Sequence, residues 1–437
     1  MDSLQMKKDS AINKYRKQRL LNKLMLYSFT SMTCILFLSS PLWYPLLRAF
    51  LKSLLFDSLP KIGALFFSSK CIFIVGNLIV IFLVGESKIF KSSKSSSSSS
   101  LPSNVVKQNY AADEENGQKN FIFLAAEIFS ENVAGKVVII TGASSGIGEY
   151  LAYEYARRGA CLAIAARRQK SLREVAERAL DLGAPDVLVI PADVSKVDDC
   201  RTIVDRTMSH FGRLDHLVNN AGMTAVSLFE EIEDISKLRS IMDINFWGSV
   251  YMTRFAIPYL RYSEGKIIVL SSSASWMPSP RMSLYCASKA AMILFFEALR
   301  IEFGRDVKIT LVTPGFVESE MTQGKFINKT GKVDVNPQMR DVQVGITPVV
   351  KVEECAKAIV NGACRGERYI TVPAWFRVTY LWKVFCPEVV EWILRLLCLT
   401  GSGTSPDDSL SKKILDYTGV QKVLYPENIR EPELKAE

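Results

Sequence analysis

The sequence predicts an α/β fold, a doubly wound parallel sheet, and three observations carry that prediction. Short apolar, β-branched runs recur through the second half of the chain, and a longer segment of helical period separates each from the next. Most of these runs are apolar at consecutive positions, as expected of strands covered on both faces. A glycine-rich turn ends the first run and opens the first helical pattern, where folds of this class bind ligands.

Taken in order, the runs are Val137 to Ile140, Leu162 to Ala166, Val187 to Ile190, Leu214 to Val218, Lys266 to Leu270, Val307 to Val312 and Tyr369 to Val372. The turn after the first reads Thr141-Gly142-Ala143-Ser144-Ser145-Gly146-Ile147-Gly148, and the helical pattern Glu149 to Arg158 follows. Glycines there let backbone N–H groups and a helix N-terminus approach a pyrophosphate, which the helix dipole also favours. Arg167 and Arg168 follow the second run, where a site for NAD would place an acidic residue on the ribose 2′-hydroxyl. Arginine can instead hold a 2′-phosphate, so the sequence favours NADP(H). Tyr285 and Lys289 stand four apart on the apolar helical pattern Ala287 to Phe303, on one face. An ordinary phenol ionises near pH 10. A neighbouring ammonium is what would bring it toward neutral pH for acid/base work.

A rival reading has to be weighed, because Gly142-Ala-Ser144-Ser-Gly146 also fits the nucleophile elbow of serine hydrolases. Such an enzyme needs a histidine late in the chain, after an acid, whereas the two histidines here are His210 and His216. They sit near a helix end and at a strand start, where surface or core roles are commoner, and the hydrolase reading is set aside. The nine cysteines show no C-x-x-C spacing, and no metal site or disulfide framework is suggested.

In order and spacing, Thr141 to Gly148, Asn219-Asn220-Ala221-Gly222, Asn245, Ser272, Tyr285 with Lys289, and Pro314-Gly315 resemble the short-chain dehydrogenase/reductases. From about Ser130 onward the chain looks most like plant 11-beta-hydroxysteroid dehydrogenase-like proteins, the steroleosins. Phe211 to Met223, Asn245 to Tyr251 and Arg340 to Gly345 carry that closer likeness. The resemblance implies a Rossmann domain in which Tyr285 is the general acid/base. Lys289 would lower its pKa and hold the nicotinamide ribose, Ser272 would hydrogen-bond the substrate oxygen, and Asn245 would hold a water linking Lys289 to solvent. It further implies that Gly142, Ser144, Ser145, Gly146, Ile147 and Gly148 cradle the cofactor phosphates, with Arg167 and Arg168 on the 2′-phosphate. Asp193 and Val194 would meet the adenine and Asn219 its ribose, with Pro314, Val317 and Ser319 beside the nicotinamide. Ser319 departs from the threonine more usual there but keeps a hydroxyl.

The flanks set the expected organisation. Of the chain's net charge of +9, residues 1–100 hold fourteen Lys/Arg against four Asp/Glu, which leaves the remainder near neutral. The basic character therefore belongs to a membrane-flanking segment and gives no reason to expect a nucleic-acid partner. Two apolar stretches, 24–56 and 62–85, are long enough for a membrane anchor within residues 1–86. Residues 87–120 read as a Ser-rich flexible linker and 121–372 as the enzyme domain. Steroleosins usually carry one short apolar segment with a proline knob, so this front end departs from the resemblance. Pro60 to Phe90 distantly resembles membrane-proximal regions of plant proteins related to cotton-fibre-expressed proteins, as a fused segment would.

Residues 373–437 combine an aromatic-rich apolar stretch with a polar tail. The stretch would pack on the domain or on a homodimer partner, or lie as an interfacial helix. The expectation is a membrane-associated oxidoreductase at the endoplasmic reticulum or a lipid droplet, its catalytic domain cytosolic. It would interconvert a secondary alcohol and a ketone on a steroid or other hydrophobic substrate. The alternative is a lipid-surface coat or tether with a non-catalytic dinucleotide-binding scaffold.

Overall fold

The computed structural model describes residues 130–400 and 405–430. The anchor stretches 24–56 and 62–85 and the linker 87–120 lie outside the described residues. Among the described residues, no helix is long and apolar enough to cross a membrane.

Seven strands form one parallel sheet: β1 (Val137–Thr141), β2 (Cys161–Ala166), β3 (Val187–Pro191), β4 (His216–Asn219), β5 (Lys266–Leu270), β6 (Lys308–Pro314) and, last in space, Tyr369–Val372. Each predicted run is a strand, with ends shifted by at most two residues. The spatial order starts β3-β2-β1-β4-β5-β6 and ends on Tyr369–Val372. The order therefore reverses between β1 and β4, which opens a crevice above their carboxyl ends.

Alternate residues along each strand feed two cores. Val138, Ile140, Leu162 and Ile164 face α1 (Gly146–Ala156) and α2 (Gln169–Asp181). Ile139, Ala163, Leu217 and Val269 face α3 (Val197–Phe211), α4 (Gly248–Tyr262) and α5 (Ser283–Phe303). Strands buried on both sides explain why the runs are continuously apolar. A π-helical turn, Asp243–Trp247, leads directly into α4.

Beyond β6 the sequence suggests an irregular segment, but the structure is more regular. Strands β7 (Lys325–Ile327) and β8 (Val333–Val335) form an antiparallel hairpin, followed by α6 (Pro337–Val344) and α7 (Val352–Cys364). Three-residue strands leave too little periodicity to be seen in sequence. The seventh sheet strand, Tyr369–Val372, is β9. After it come α8 (Arg377–Phe385), α9 (Pro387–Cys398) and α10 (Leu410–Thr418).

The domain boundary expected at residue 372 does not hold as a packing boundary. Leu415, Leu424, Tyr425 and Ile429 are buried with Val344 and Val349 in a third core. The sequence suggests only a polar tail, because these four buried residues, spread over fifteen positions, follow no single helical or strand period.

At the amino ends of the strands, Glu131 ion-pairs with Lys136 and Lys266 and hydrogen-bonds with His216. Lys266 also donates to the Ala363 carbonyl at 2.7 Å, and the Tyr155 hydroxyl meets His216 Nδ1 at 3.0 Å. Burial would raise the Glu131 pKa, but hydrogen bonds and charge from His216, Lys136 and Lys266 hold it well below the usual carboxylate range. His216 is thus a buried structural residue far from the crevice. His210 pairs on the surface with Asp186 at 2.6 Å.

Candidate active site

The crevice above β1 and β4 is a cavity of about 1000 Å³ that runs from the glycine-rich turn to α9. At one end, Gly142 (φ +66°) and Gly146 (φ +57°) take left-handed conformations that favour glycine. A Cβ at Gly148 would stand 2.4 Å from both the Gly142 carbonyl oxygen and the Asn220 amide nitrogen, so the first turn of α1 packs against its own loop. Asn220 fixes that loop, donating from Nδ2 to the Thr141 and Gly142 carbonyls at 2.9 and 3.2 Å. The Thr141 hydroxyl accepts from the Asn220 and Ala221 N–H groups. Residue choice at Asn220 was not singled out from sequence, although the repeated Asn219-Asn220 was its signal.

No side chain caps the amino end of α1. Its leading N–H groups and positive dipole end therefore remain for an anion, and Ser144, Ser145, Gly146 and Ile147 line the cavity beside them. A close-packed glycine turn at an uncapped helix N-terminus, with arginine in the same lining, fits a dinucleotide. Arg167 is exposed at the rim, whereas Arg168 lies inside. Its Nη2 donates to the Ser145 hydroxyl at 2.7 Å and to Ser144 at 3.2 Å, and its Nη1 donates to Glu320 at 2.7 Å.

Asp193 and Val194 line the cavity next to Arg167. Asn219 does not: it lies behind the wall, donating to the Thr253 hydroxyl at 3.0 Å, and Asn220, Ala221 and Gly222 form the surface instead. A strand's last inward side chain goes into the core, and the turn after it meets the ligand. Pro314, Val317 and Ser319 line the opposite wall. The Ser319 hydroxyl lies 3.2 Å from that of Thr322, which donates to the Val317 carbonyl at 2.7 Å. Thr322 thus joins Ser319 in shaping that wall, a role without a sequence signal.

At the centre, Tyr285 sits in the first turn of α5 with Lys289 one turn further on, both buried. Ser272 follows β5, and its hydroxyl accepts from the Ala274 N–H at 3.1 Å. Ser271 ties the helix to the strand through a 2.9 Å bond to the Lys289 carbonyl. Burial pushes the Tyr285 phenol up to about 12, while its hydrogen bond with Ser272 pulls the other way. Burial also brings the Lys289 ammonium down to about 8.

The expected lowering of the phenol by Lys289 is not what this geometry gives. The ammonium is 5.8 Å from the Tyr285 ring centre and donates to the Leu270 carbonyl at 2.8 Å. Desolvation of both groups therefore outweighs their attraction, and the proton stays on the phenol. Asn245, in the π-helical turn, spends its side chain on Met223, accepting from its N–H at 2.8 Å and donating to its carbonyl at 2.9 Å. A third bond at 2.9 Å reaches the Ser288 hydroxyl. The side chain expected to hold a water thus spends three of its four hydrogen-bonding positions on Met223 and Ser288.

The far end is mainly apolar, with Met223, Val226, Phe316, Phe376, Leu394 and Leu397 among its lining residues. Among the described residues no group of His, Cys, Asp and Glu could hold a metal ion.

A doubly wound sheet with a phosphate-ready turn and a Ser-Tyr-Lys set below one crevice defines a dinucleotide-linked oxidoreductase of CH–OH groups. The chain belongs to the short-chain dehydrogenase family. Residues 136–330 match the family described as short chain dehydrogenase. "11-beta-hydroxysteroid dehydrogenase A" of Sesamum indicum is 65% identical over 317 residues, 72% of this chain and 91% of the sesame protein. "11-beta-hydroxysteroid dehydrogenase 1A" of Arabidopsis thaliana is 64% identical over 310 residues, 71% of this chain and 89% of that protein. Among solved structures, a short chain dehydrogenase/reductase from Burkholderia phymatum in complex with NAD shares the fold. Its TM-score is 0.52 at 22% identity, covering 59% of this chain and 96% of that one.

Proposed function

We propose that the protein is an NADP(H)-dependent, hydroxysteroid dehydrogenase-like enzyme that interconverts a secondary alcohol and a ketone on a steroid or similar hydrophobic molecule. The observation that carries this reading is that Ser272, Tyr285 and Lys289 line one cavity together, with Tyr285 and Lys289 both buried. Bound in the crevice, the nicotinamide supplies or accepts the hydride. Ser272 holds the substrate oxygen, and Tyr285 donates its proton as a ketone becomes an alcohol or removes one in the reverse direction. A phenol held protonated suits the donor role, and oxidation requires Lys289 to be charged and nearer the phenolate.

The apolar far end of the cavity and the names of the relatives support a steroid-like substrate. Arg168 inside the site and Arg167 at its rim support a 2′-phosphate. The apolar stretches 24–56 and 62–85, and the exposed Tyr380, Phe385 and Trp392 of α8 and α9, support a place at a membrane or lipid-droplet surface. A second copy of the chain could cover Tyr262, Leu294 and Ile301, which are also exposed.

Turnover of a panel of hydroxysteroids and ketosteroids with NADPH and NADH tests the reading. Tyr285→Phe should lower kcat by at least about 100-fold with cofactor binding intact. Wild-type turnover in that variant, or a preference for NADH, would overturn the mechanism or the cofactor assignment respectively. A protein that binds the dinucleotide but turns over none of the panel would favour the lipid-surface scaffold.

A further inference from the structure

We infer that Glu320 is a built-in competitor for the cofactor's 2′-phosphate, holding the Arg168 guanidinium until the phosphate displaces it toward Lys325. The inference rests on the NADP(H) reading above and adds a specificity-determining residue from the opposite wall of the crevice.

The guanidinium of Arg168 is held by three side chains. Nη1 donates to Glu320 Oε1 at 2.7 Å, Nη2 to Ser145 at 2.7 Å and Ser144 at 3.2 Å, and Nε to Ser144 at 3.4 Å. Ser144 and Ser145 are neutral partners that a phosphate can share. Glu320 is an anion, and a phosphate that takes the same guanidinium must stand against a carboxylate or displace it. Both partners of the ion pair are mostly shielded from solvent, so water does not screen the contest away.

Displacement has a prepared destination. The other carboxylate oxygen of Glu320 lies 3.5 Å from Lys325 Nζ, and the Lys325 N–H donates to the Glu320 carbonyl at 3.0 Å, which keeps the two within reach. Glu320 thus stands between two cations, one on the phosphate side and one at the start of β7. Strand β7 is tied to the substrate side, since Ile327 pairs with Ala225 after β4. Arrival of the 2′-phosphate therefore tightens the Glu320–Lys325 contact in the segment that borders the substrate. A cofactor without that phosphate leaves the carboxylate on Arg168.

Titration calorimetry on the full-length protein with 2′,5′-ADP and 5′-AMP isolates this effect from turnover. Wild type should prefer 2′,5′-ADP. Glu320→Gln, which keeps size and hydrogen bonding, should bind 2′,5′-ADP about five- to tenfold tighter and 5′-AMP within about twofold of wild type. In an Arg168→Gln background the same change should gain less than about twofold, because the competitor has lost its target. Lys325→Gln should weaken 2′,5′-ADP several-fold, since the displaced carboxylate then loses a partner. Unchanged or weaker 2′,5′-ADP binding by Glu320→Gln, or an equal gain without Arg168, overturns the inference while wild-type preference for 2′,5′-ADP stands. Loss of that wild-type preference would instead remove the NADP(H) reading itself.

Discussion

Replacing Lys289 by Met should make the folded domain more stable at neutral pH and the enzyme inactive. Burial lowers the ammonium from 10.5 to about 8, so the folded state carries the charge at a cost of about 3 kcal/mol below pH 8. Methionine removes that cost but cannot donate to the Leu270 carbonyl, which the ammonium holds at 2.8 Å. An unpaired buried carbonyl costs about 2 kcal/mol, which leaves a gain of about 1 kcal/mol at pH 7.

The sign of the pH dependence follows from which state binds more protons. Between about pH 8 and 10.5 the unfolded lysine is protonated and the folded one is not, so wild-type stability rises with pH across that window. The variant lacks this contribution, and the order of stability should invert near about pH 9. Urea midpoints of both proteins at pH 7, 8.5 and 10 read this directly, with turnover measured alongside. A stability difference that does not change with pH, or a variant less stable at pH 7, would refute the buried-charge argument.

Gly148→Ala places a Cβ where the Gly142 carbonyl and Asn220 amide already stand at 2.4 Å. Affinity for 2′,5′-ADP should fall at least about tenfold by calorimetry, because the loop and not the ligand must move. Glu131→Gln leaves Lys266 buried without its carboxylate, and thermal unfolding should report a loss of about 2–4 kcal/mol with kcat unchanged. Its folded carboxylate is held below the usual range, so that stability is present above about pH 4.5 and lost as the pH falls below it. The variant's unfolding midpoint should accordingly be less sensitive to acid. Asn245→Ala releases both backbone groups of Met223, and kcat should drop with the KM for the hydrophobic substrate raised, as Met223 lines its end of the cavity.

The sheet and the central site were legible because their signals are local. Val138, Ile139 and Ile140 announce a strand buried on both faces. Tyr285 and Lys289 lie on one helix face by spacing alone, and the turn from Gly142 to Gly148 follows directly from its neighbours. What was not legible depends on distant partners. Nothing in the tail shows that Leu415 and Ile429 cover Val344, since that contact joins segments some seventy residues apart. Arg168 reads as one of two adjacent arginines, and only the fold brings Glu320 to it from 152 positions away. Asn219 bonds into the core and Asn220 into the loop because the chain turns from core to crevice between them. The pKa of Tyr285 depends on burial, which residue spacing does not measure.

Glu131 fastens the start of the domain to the amino ends of β1, β4 and β5, while every reacting group lies at the carboxyl ends. A five-residue strand is about 17 Å long, so at least that depth of packed sheet separates the joint from the crevice. The joint and the reacting groups thus sit at opposite ends of the same strands, so a change at Glu131 reaches the site only through the length of the sheet.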